Sequence, residues 1–90
     1  MIDFDLIAWD DEDEPGGNVQ HIATNGLTIE EIEQVLRDPA NRPTLSRSTG
    51  RPAVFGATAT GKDIFVVYEV LVSEPVIVIR PVTAYEPMPE

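Results

Sequence analysis

Residues 64–85 read IFVVYEVLV, SEP and VIVIRPVTAY, and this stretch decides the fold. Its two long runs are rich in β-branched and aromatic residues, which favour β-strands, and the turn between them is short. Short connections join antiparallel neighbours. The pattern therefore predicts two central antiparallel strands, at 64–72 and 76–85, covered by helices on at least one face of the sheet.

Three further strands are predicted outside this pair. The runs 44–48 and 53–58 have strand composition and end at turns that contain glycine. Residues 2–9 place Ile2, Phe4, Leu6 and Ala8 at alternate positions, which predicts a first strand with these side chains on one face. Residues 10–17, DDEDEPGG, are predicted as a loop because their carboxylates repel one another and their last residues break regular structure.

Two helices are predicted between the first strand and the others. Residues 18–25 form two helical turns that end at Gly26, a residue able to adopt the left-handed conformation found past helix ends. Thr28 and Glu31 have the spacing of a capping box, so the second helix begins there, and Asp38-Pro39 ends it. The helix residues expected to face the core are Val19, Ile22, Ala23, Ile29, Ile32, Val35 and Leu36. The predicted fold class is α+β: a strand, two helices, then a mainly antiparallel sheet of about four further strands.

Length and composition limit the classes of protein. Ninety residues, 42% of them apolar, support one core, so we predict a single domain over 1–86 with a frayed tail at 87–90. The absence of cysteine excludes disulfides, thiol nucleophiles and cysteine-rich metal sites. The longest apolar stretch, 64–82, is interrupted by charges and prolines, so no membrane span is predicted. The amino terminus has no basic segment ahead of an apolar one, so a cytoplasmic location is the expectation.

The charges are segregated along the chain. The net charge of −10 makes the protein as a whole repel phosphate backbones. However, residues 1–33 hold ten acids and no base, whereas residues 37–62 hold five bases and one acid. The basic middle segment is expected to form a local cationic patch if folding brings its members to one side of the molecule.

Several short motifs, in this order and spacing, resemble the BrnT-like family of bacterial toxins. They are Trp9-Asp10, Asn18-Val19-Gln20-His21-Ile22, Gly26-Leu27-Thr28, Gly50-Arg51, Phe55-Gly56, Thr60-Gly61-Lys62 and Ile79-Arg80-Pro81-Val82-Thr83-Ala84. The resemblance covers most of residues 7–86. It implies the RelE-type toxin fold, a ribonuclease that works without metal or other cofactor, and inhibition by a partner antitoxin.

This chain departs from the family pattern in its cations. Family members are typically basic and often carry lysine at the position of Gln20. They also tend to end the last strand with Ser-Ala-Arg, where this chain has Thr83-Ala84-Tyr85. Since a ribonuclease must hold a polyanion and stabilise charge on phosphate, the departures weaken the catalytic prediction more than the fold prediction.

The candidate catalytic residues are His21, Arg80 and Tyr85. His21 is the one imidazole of the chain, and imidazole is a common proton donor and acceptor in catalysis, but a structural role beside Trp9-Asp10 is favoured. Arg80 suits a phosphate clamp and equally suits an ion pair with Glu69. A compact site with Tyr85 requires a bulge near Pro81, because a regular strand would place the two side chains on opposite faces.

The candidate substrate-binding residues are Arg47, Arg51 and Lys62, from the basic segment. Two functions are weighed almost equally: a toxin-like ribonuclease acting on RNA, and a binding module of the same fold that acts through a protein partner. No metal site is predicted, since the acidic run 10–14 lacks the ligand spacing of a calcium loop. Charge complementarity favours a basic partner, such as an antitoxin arm, on residues 10–33, which carry Asp10 to Glu14, Glu30, Glu31 and Glu33.

Overall fold

A computed structural model describes residues 2–87, and it confirms the α+β layout. The elements are β1 (Leu6–Ile7), α1 (Asn18–Thr24), α2 (Ile29–Arg37), β2 (Arg42–Leu45), β3 (Pro52–Ala57), β4 (Asp63–Val72) and β5 (Val78–Tyr85). They form one five-stranded sheet in the order β1-β5-β4-β3-β2. β1 runs parallel to β5, and all other neighbours are antiparallel.

Both helices pack on one face of the sheet and enclose a single core. The predicted capping box is present, because the Thr28 hydroxyl accepts from the Glu31 amide and the Glu31 carboxylate accepts from the Thr28 amide. α1 is followed by Gly26 with φ of 78°, as predicted. Of the helix residues expected in the core, Ile22, Ile32, Val35 and Leu36 are fully buried, Val19 and Ile29 are half-buried, and Ala23 is exposed.

α2 lies close to β3 because β3 carries a glycine where the helix crosses it. A Cβ added to Gly56 would lie 3.0 Å from Val35 Cγ1. Ile32, Val35 and Leu36 of the helix therefore reach the same core as Val54. The close approach fixes the helical layer over one side of the sheet and leaves the other side without a helix among residues 2–87.

The edges of the sheet differ from the prediction. The first strand covers two residues rather than 2–9, because the chain bends at Asp5, where the Asp5 and Leu6 amides both donate to Ile77 O. Ile2 is buried and Phe4 packs against the core, but beyond the bend Leu6 is exposed and Ile7 packs inward, which reverses the predicted facing. The predicted strand 44–48 ends at Leu45, since Gly50 N donates to Ser46 O in a turn.

β5 contains a bulge that decides which side chains share a face. Thr83 pairs with Val67 of β4, whereas Pro81 pairs with the next residue, Tyr68, so Val82 is extra. Pro81 and Ala84 are consequently both buried against the helices. Arg80 and Tyr85 can share one face of the sheet only if β5 has a bulge between them, and this bulge is present. Of the predicted tail 87–90, Pro87 is exposed outside the sheet, and 88–90 lie outside the described residues.

Candidate functional site

An aromatic row crosses the face of the sheet opposite the helices, which we call the open face. Tyr85, Phe65, Phe55 and Arg42 are consecutive register partners on β5, β4, β3 and β2, so their side chains share this face. The Tyr85 and Phe65 ring centroids are 5.5 Å apart at an interplanar angle of 43°. Tyr85 is 43% exposed. Two neighbouring rings, one of them accessible, form a surface on which a planar group can stack.

The loop between β2 and β3 folds back over the open face and makes a groove beside these rings. The aromatic groove is a cavity of about 370 Å³ lined by Thr44, Leu45, Ser46, Arg47, Ser48, Phe65 and Tyr85. Ala53 and Val67, which lie on the same face one row inward, are buried. The groove therefore combines aromatic rings, hydroxyl groups and a guanidinium.

The arginines of β2 and of the loop after it have no acidic partner among residues 2–87, and one of them, Arg47, lines the groove. Arg42 Cζ lies 5.6 Å from the Phe55 ring centroid, a cation–π contact. Arg47 and Arg51 are exposed. None of these three arginines makes a salt bridge within residues 2–87, in contrast to Arg80 and Lys62. Their charges are available to an anion, although the molecule as a whole is acidic.

Arg80 is held by carboxylates and is not presented as a phosphate clamp. Its Nη2 lies 2.6 Å from Asp10 Oδ2, and its Nη1 lies 3.7 Å from Glu69 Oε1. The backbone N–H of Asn18 and the Arg80 guanidinium both donate to the Asp10 carboxylate. These two hydrogen bonds hold the pKa of the Asp10 carboxyl below its usual value. Of the two roles weighed for Arg80, the structure shows the ion pair. It includes the expected Glu69 and, closer, Asp10.

Asn18 joins the elements around this ion pair. Its side chain is buried and makes three hydrogen bonds: Oδ1 accepts from Asp10 N, and Nδ2 donates to Ala8 O and Pro81 O. The start of α1, the end of β1 and the bulged part of β5 are thereby fixed to one another. Trp9 adds a link to α2, because its Nε1 donates to Glu33 Oε2 at 3.0 Å.

His21 does not have the structural role that the sequence favoured. The side chain is exposed on α1 and makes no hydrogen bond with any described residue. Asn18, one helical turn earlier, makes the contacts to the Trp9-Asp10 region instead. His21 lies in the helical layer, whereas the aromatic groove lies on the opposite face of the sheet.

The six predicted site residues are therefore not brought into one site. Arg80 and Tyr85 share the open face, but their β4 partners, Glu69 and Phe65, are four residues apart, about 13 Å along the strand. Lys62 turns toward the helices, where its Nζ lies 2.7 Å from Glu31 Oε2. This ion pair lowers the pKa of Glu31 and raises that of Lys62.

The expected cationic patch is split accordingly. Arg37 stacks over the Phe4 ring at 5.3 Å from its centroid, and Lys62 pairs with α2. The remaining members, Arg42, Arg47 and Arg51, belong to β2 and the loop that follows it. Within the basic segment, the arginines that can bind an anion are therefore those at and around the aromatic groove.

The acidic loop forms a second, shallower cleft of about 380 Å³ beside the Arg80 ion pair. It is lined by Asp10, Asp11, Glu14, Pro15, Gly16, Gly17 and Arg80. Residues 2–87 contain no group of three acidic or histidine side chains placed to hold a metal ion. Neither helix in that range is long and apolar enough to cross a membrane.

Comparison with known proteins adds no family to this description. No model of a known protein family matches the chain, and no curated protein is significantly similar to it.

Sequence reasoning missed three residues of the aromatic row. Phe55 and Phe65 were assigned only to strands, and Arg42 only to the basic segment. A usable signal exists, since Phe55 and Phe65 flank the Thr60-Gly61 turn almost symmetrically, and a hairpin through that turn pairs them. No comparable pattern in the sequence predicts that the Ser46–Ser48 loop folds back over the sheet.

Proposed function

We propose that this protein is a toxin-like component of a toxin–antitoxin system that binds single-stranded RNA in the aromatic groove without cleaving it. The observation that carries the proposal is the Tyr85–Phe65 ring pair beside arginines that have no acidic partner, on a molecule whose net charge is −10. Bases stack on such rings, and guanidinium groups hold the phosphates between them. The resemblance to BrnT-like toxins supports RNA as the polyanion.

Binding is favoured over cleavage by the state of Arg80. A ribonuclease of this kind needs a cation on the phosphate that is attacked, together with a proton donor and a proton acceptor nearby. Here the predicted phosphate clamp is neutralised by Asp10 and Glu69, and His21 lies on the other face of the sheet. The groove retains the groups for stacking and charge attraction, which are the groups that binding requires.

The test measures the fluorescence anisotropy of a 5′-labelled, ten-nucleotide single-stranded RNA of mixed sequence at low and at physiological salt. Tyr85→Ala should weaken binding by about 5- to 100-fold, the cost of about one lost base stack. Tyr85→Phe should bind like the wild type because the ring is kept. Arg47→Gln should weaken binding and reduce the slope of log K against log salt by about 0.7, the value for one phosphate contact.

Arg37→Gln is the matched control, since Arg37, like Arg47, is an exposed arginine but lies outside the groove. It removes the same charge and should leave RNA affinity within about twofold of the wild type, because distant surface charges are screened in salt. Equal losses for Arg37→Gln and Arg47→Gln would show a nonspecific charge effect and refute the groove. Cleavage of the RNA by the wild type, lost in Tyr85→Phe, would instead establish the ribonuclease alternative.

A further inference from the structure

The β4–β5 hairpin extends beyond the rest of the sheet and exposes aliphatic side chains. We call residues 68–78 the hairpin arm. Val70, Leu71, Val72 and Val76 of this arm are each between 41 and 50% exposed. Leu6, Val78 and Val72 are register partners on β1, β5 and β4, so an apolar row runs across the open face at this end, opposite the end that carries the aromatic groove.

One edge of the hairpin arm has no neighbouring strand. β3 pairs with β4 only from Asp63 to Val67, so on that side β4 continues unpaired from Tyr68 to Val72. Residues 44–48, in the chain before β3, line the aromatic groove on the open face. No described residue makes a backbone hydrogen bond to β4 there. Five residues of extended backbone are therefore open to an added strand, the arrangement by which exposed edges capture extended segments.

The surroundings of the hairpin arm are acidic. The Asp5 carboxylate accepts from Ile77 N at 2.7 Å, which holds it beside the start of β5. Glu69 lies within the free stretch, and Glu74 is exposed in the turn of the arm. Arg80, the cation of the neighbouring row, lies 2.6 Å from Asp10 and 3.7 Å from Glu69, so one cation faces two carboxylates there. The charge left for a partner at the outer end of the arm is negative, so a complementary segment is basic there.

We propose that the free edge of β4 binds an extended segment of a partner protein in which aliphatic residues alternate with lysine or arginine. The backbone of the segment pairs with Tyr68–Val72 as a sixth strand. On the side of the sheet that carries the helices, its aliphatic side chains cover Val70, whose register partner is the core residue Ile79. On the open face its cations meet Glu69 and Glu74. A second copy of this chain is disfavoured as the occupant because it would bring the same carboxylates against one another, on molecules that each carry −10. The proposal does not depend on RNA binding.

The test uses nuclear magnetic resonance of the 15N-labelled full chain with a synthetic peptide, acetyl-Lys-Val-Thr-Val-Lys-Val-Thr-amide. The amide resonances of residues 68–72 should shift on titration, and their hydrogen exchange should slow at least tenfold at saturation. A peptide with glutamate in place of each lysine should bind at least tenfold more weakly. A peptide N-methylated at alternate residues, which keeps side chains and charges but lacks backbone donors, should not bind.

Matched protein variants locate the effect. Val70→Lys should weaken peptide binding at least tenfold, whereas Leu45→Lys should not, although Leu45 is an even more exposed aliphatic residue on β2. Shifts confined to other strands, equal affinity for the two charged peptides, or no shift at millimolar peptide would overturn the proposal. Dimerisation of the free protein through residues 68–72, seen by sedimentation and the same amide resonances, would overturn it in favour of a second copy. RNA titrated alone should leave these amides unchanged.

Discussion

Replacing Asn18 with alanine should cost more stability than any other single polar truncation in the first helix. The side chain makes three hydrogen bonds, of which the one to Pro81 O is buried and the other two are partly buried. A buried group left without its partner costs about 1–3 kcal/mol, and a partly buried bond contributes about 0.5–1.5 kcal/mol. The sum is about 2–6 kcal/mol, a large part of the roughly 5–13 kcal/mol expected for a domain of this size.

Urea unfolding followed by circular dichroism measures this loss. The midpoint should fall by about 2–6 M, given a slope near 1 kcal/mol per molar that the variant leaves unchanged. Asn18→Asp should be destabilised as well, because a carboxylate cannot donate to Ala8 O and Pro81 O. Asn25→Ala is the control, since Asn25 is exposed and its side chain donates one hydrogen bond, to Ala84 O. That variant should lose about 1 kcal/mol. An equal loss in Asn18→Ala and Asn25→Ala would refute the reasoning that Asn18 joins three elements.

Two further predictions concern the ion pair and the second helix. Because the folded-state pKa of Asp10 lies below its ordinary value, the ionised carboxylate stabilises the fold above about pH 4, and this contribution is lost as the pH falls further. Asp10→Asn lacks it, so unfolding midpoints between pH 6 and pH 3 should decline less for this variant than for the wild type; parallel curves would contradict the assignment. Thr28→Ala removes the acceptor for the Glu31 amide and should cost about 1 kcal/mol in the same urea assay, whereas Thr28→Ser should cost little, and equal losses would exclude the cap.

Local patterns predicted the elements whose stabilising contacts are local. The boundaries of α2 follow from Thr28 and Pro39, which act within a few residues of the helix ends. The central hairpin likewise follows from two long β-branched runs and a short turn. The first strand was overestimated because its extent depends on where Ile77, 72 residues away from Asp5, accepts its hydrogen bonds.

The sequence identified several individual residues of the candidate site but not which of them lie next to one another. The sequence raised both a phosphate and a carboxylate partner for Arg80 and named Glu69, but Asp10 is 70 residues distant and is brought close by the Asn18 contacts. Tyr85 was identified through its place on the last strand, while its neighbour Phe65 was not. The register between strands places residues side by side that are far apart in the sequence and follow no common periodicity. The rows of the open face can therefore be identified only once the sheet is assembled.

The parallel pairing of β1 with β5 has a consequence for how the chain folds. Asp5 and Ile77 are 72 residues apart, and the backbone between them contains every helix and strand except β5. At about 5–20 residues per second of synthesis, the first strand would wait roughly 4–14 s on the ribosome for its neighbour. The local helices and the antiparallel hairpins can close earlier, since their loops are short. The amino-terminal strand is therefore expected to join the sheet last and to unzip first, which makes the register between Leu6 and Val78 the slowest step of assembly and the earliest point of local opening.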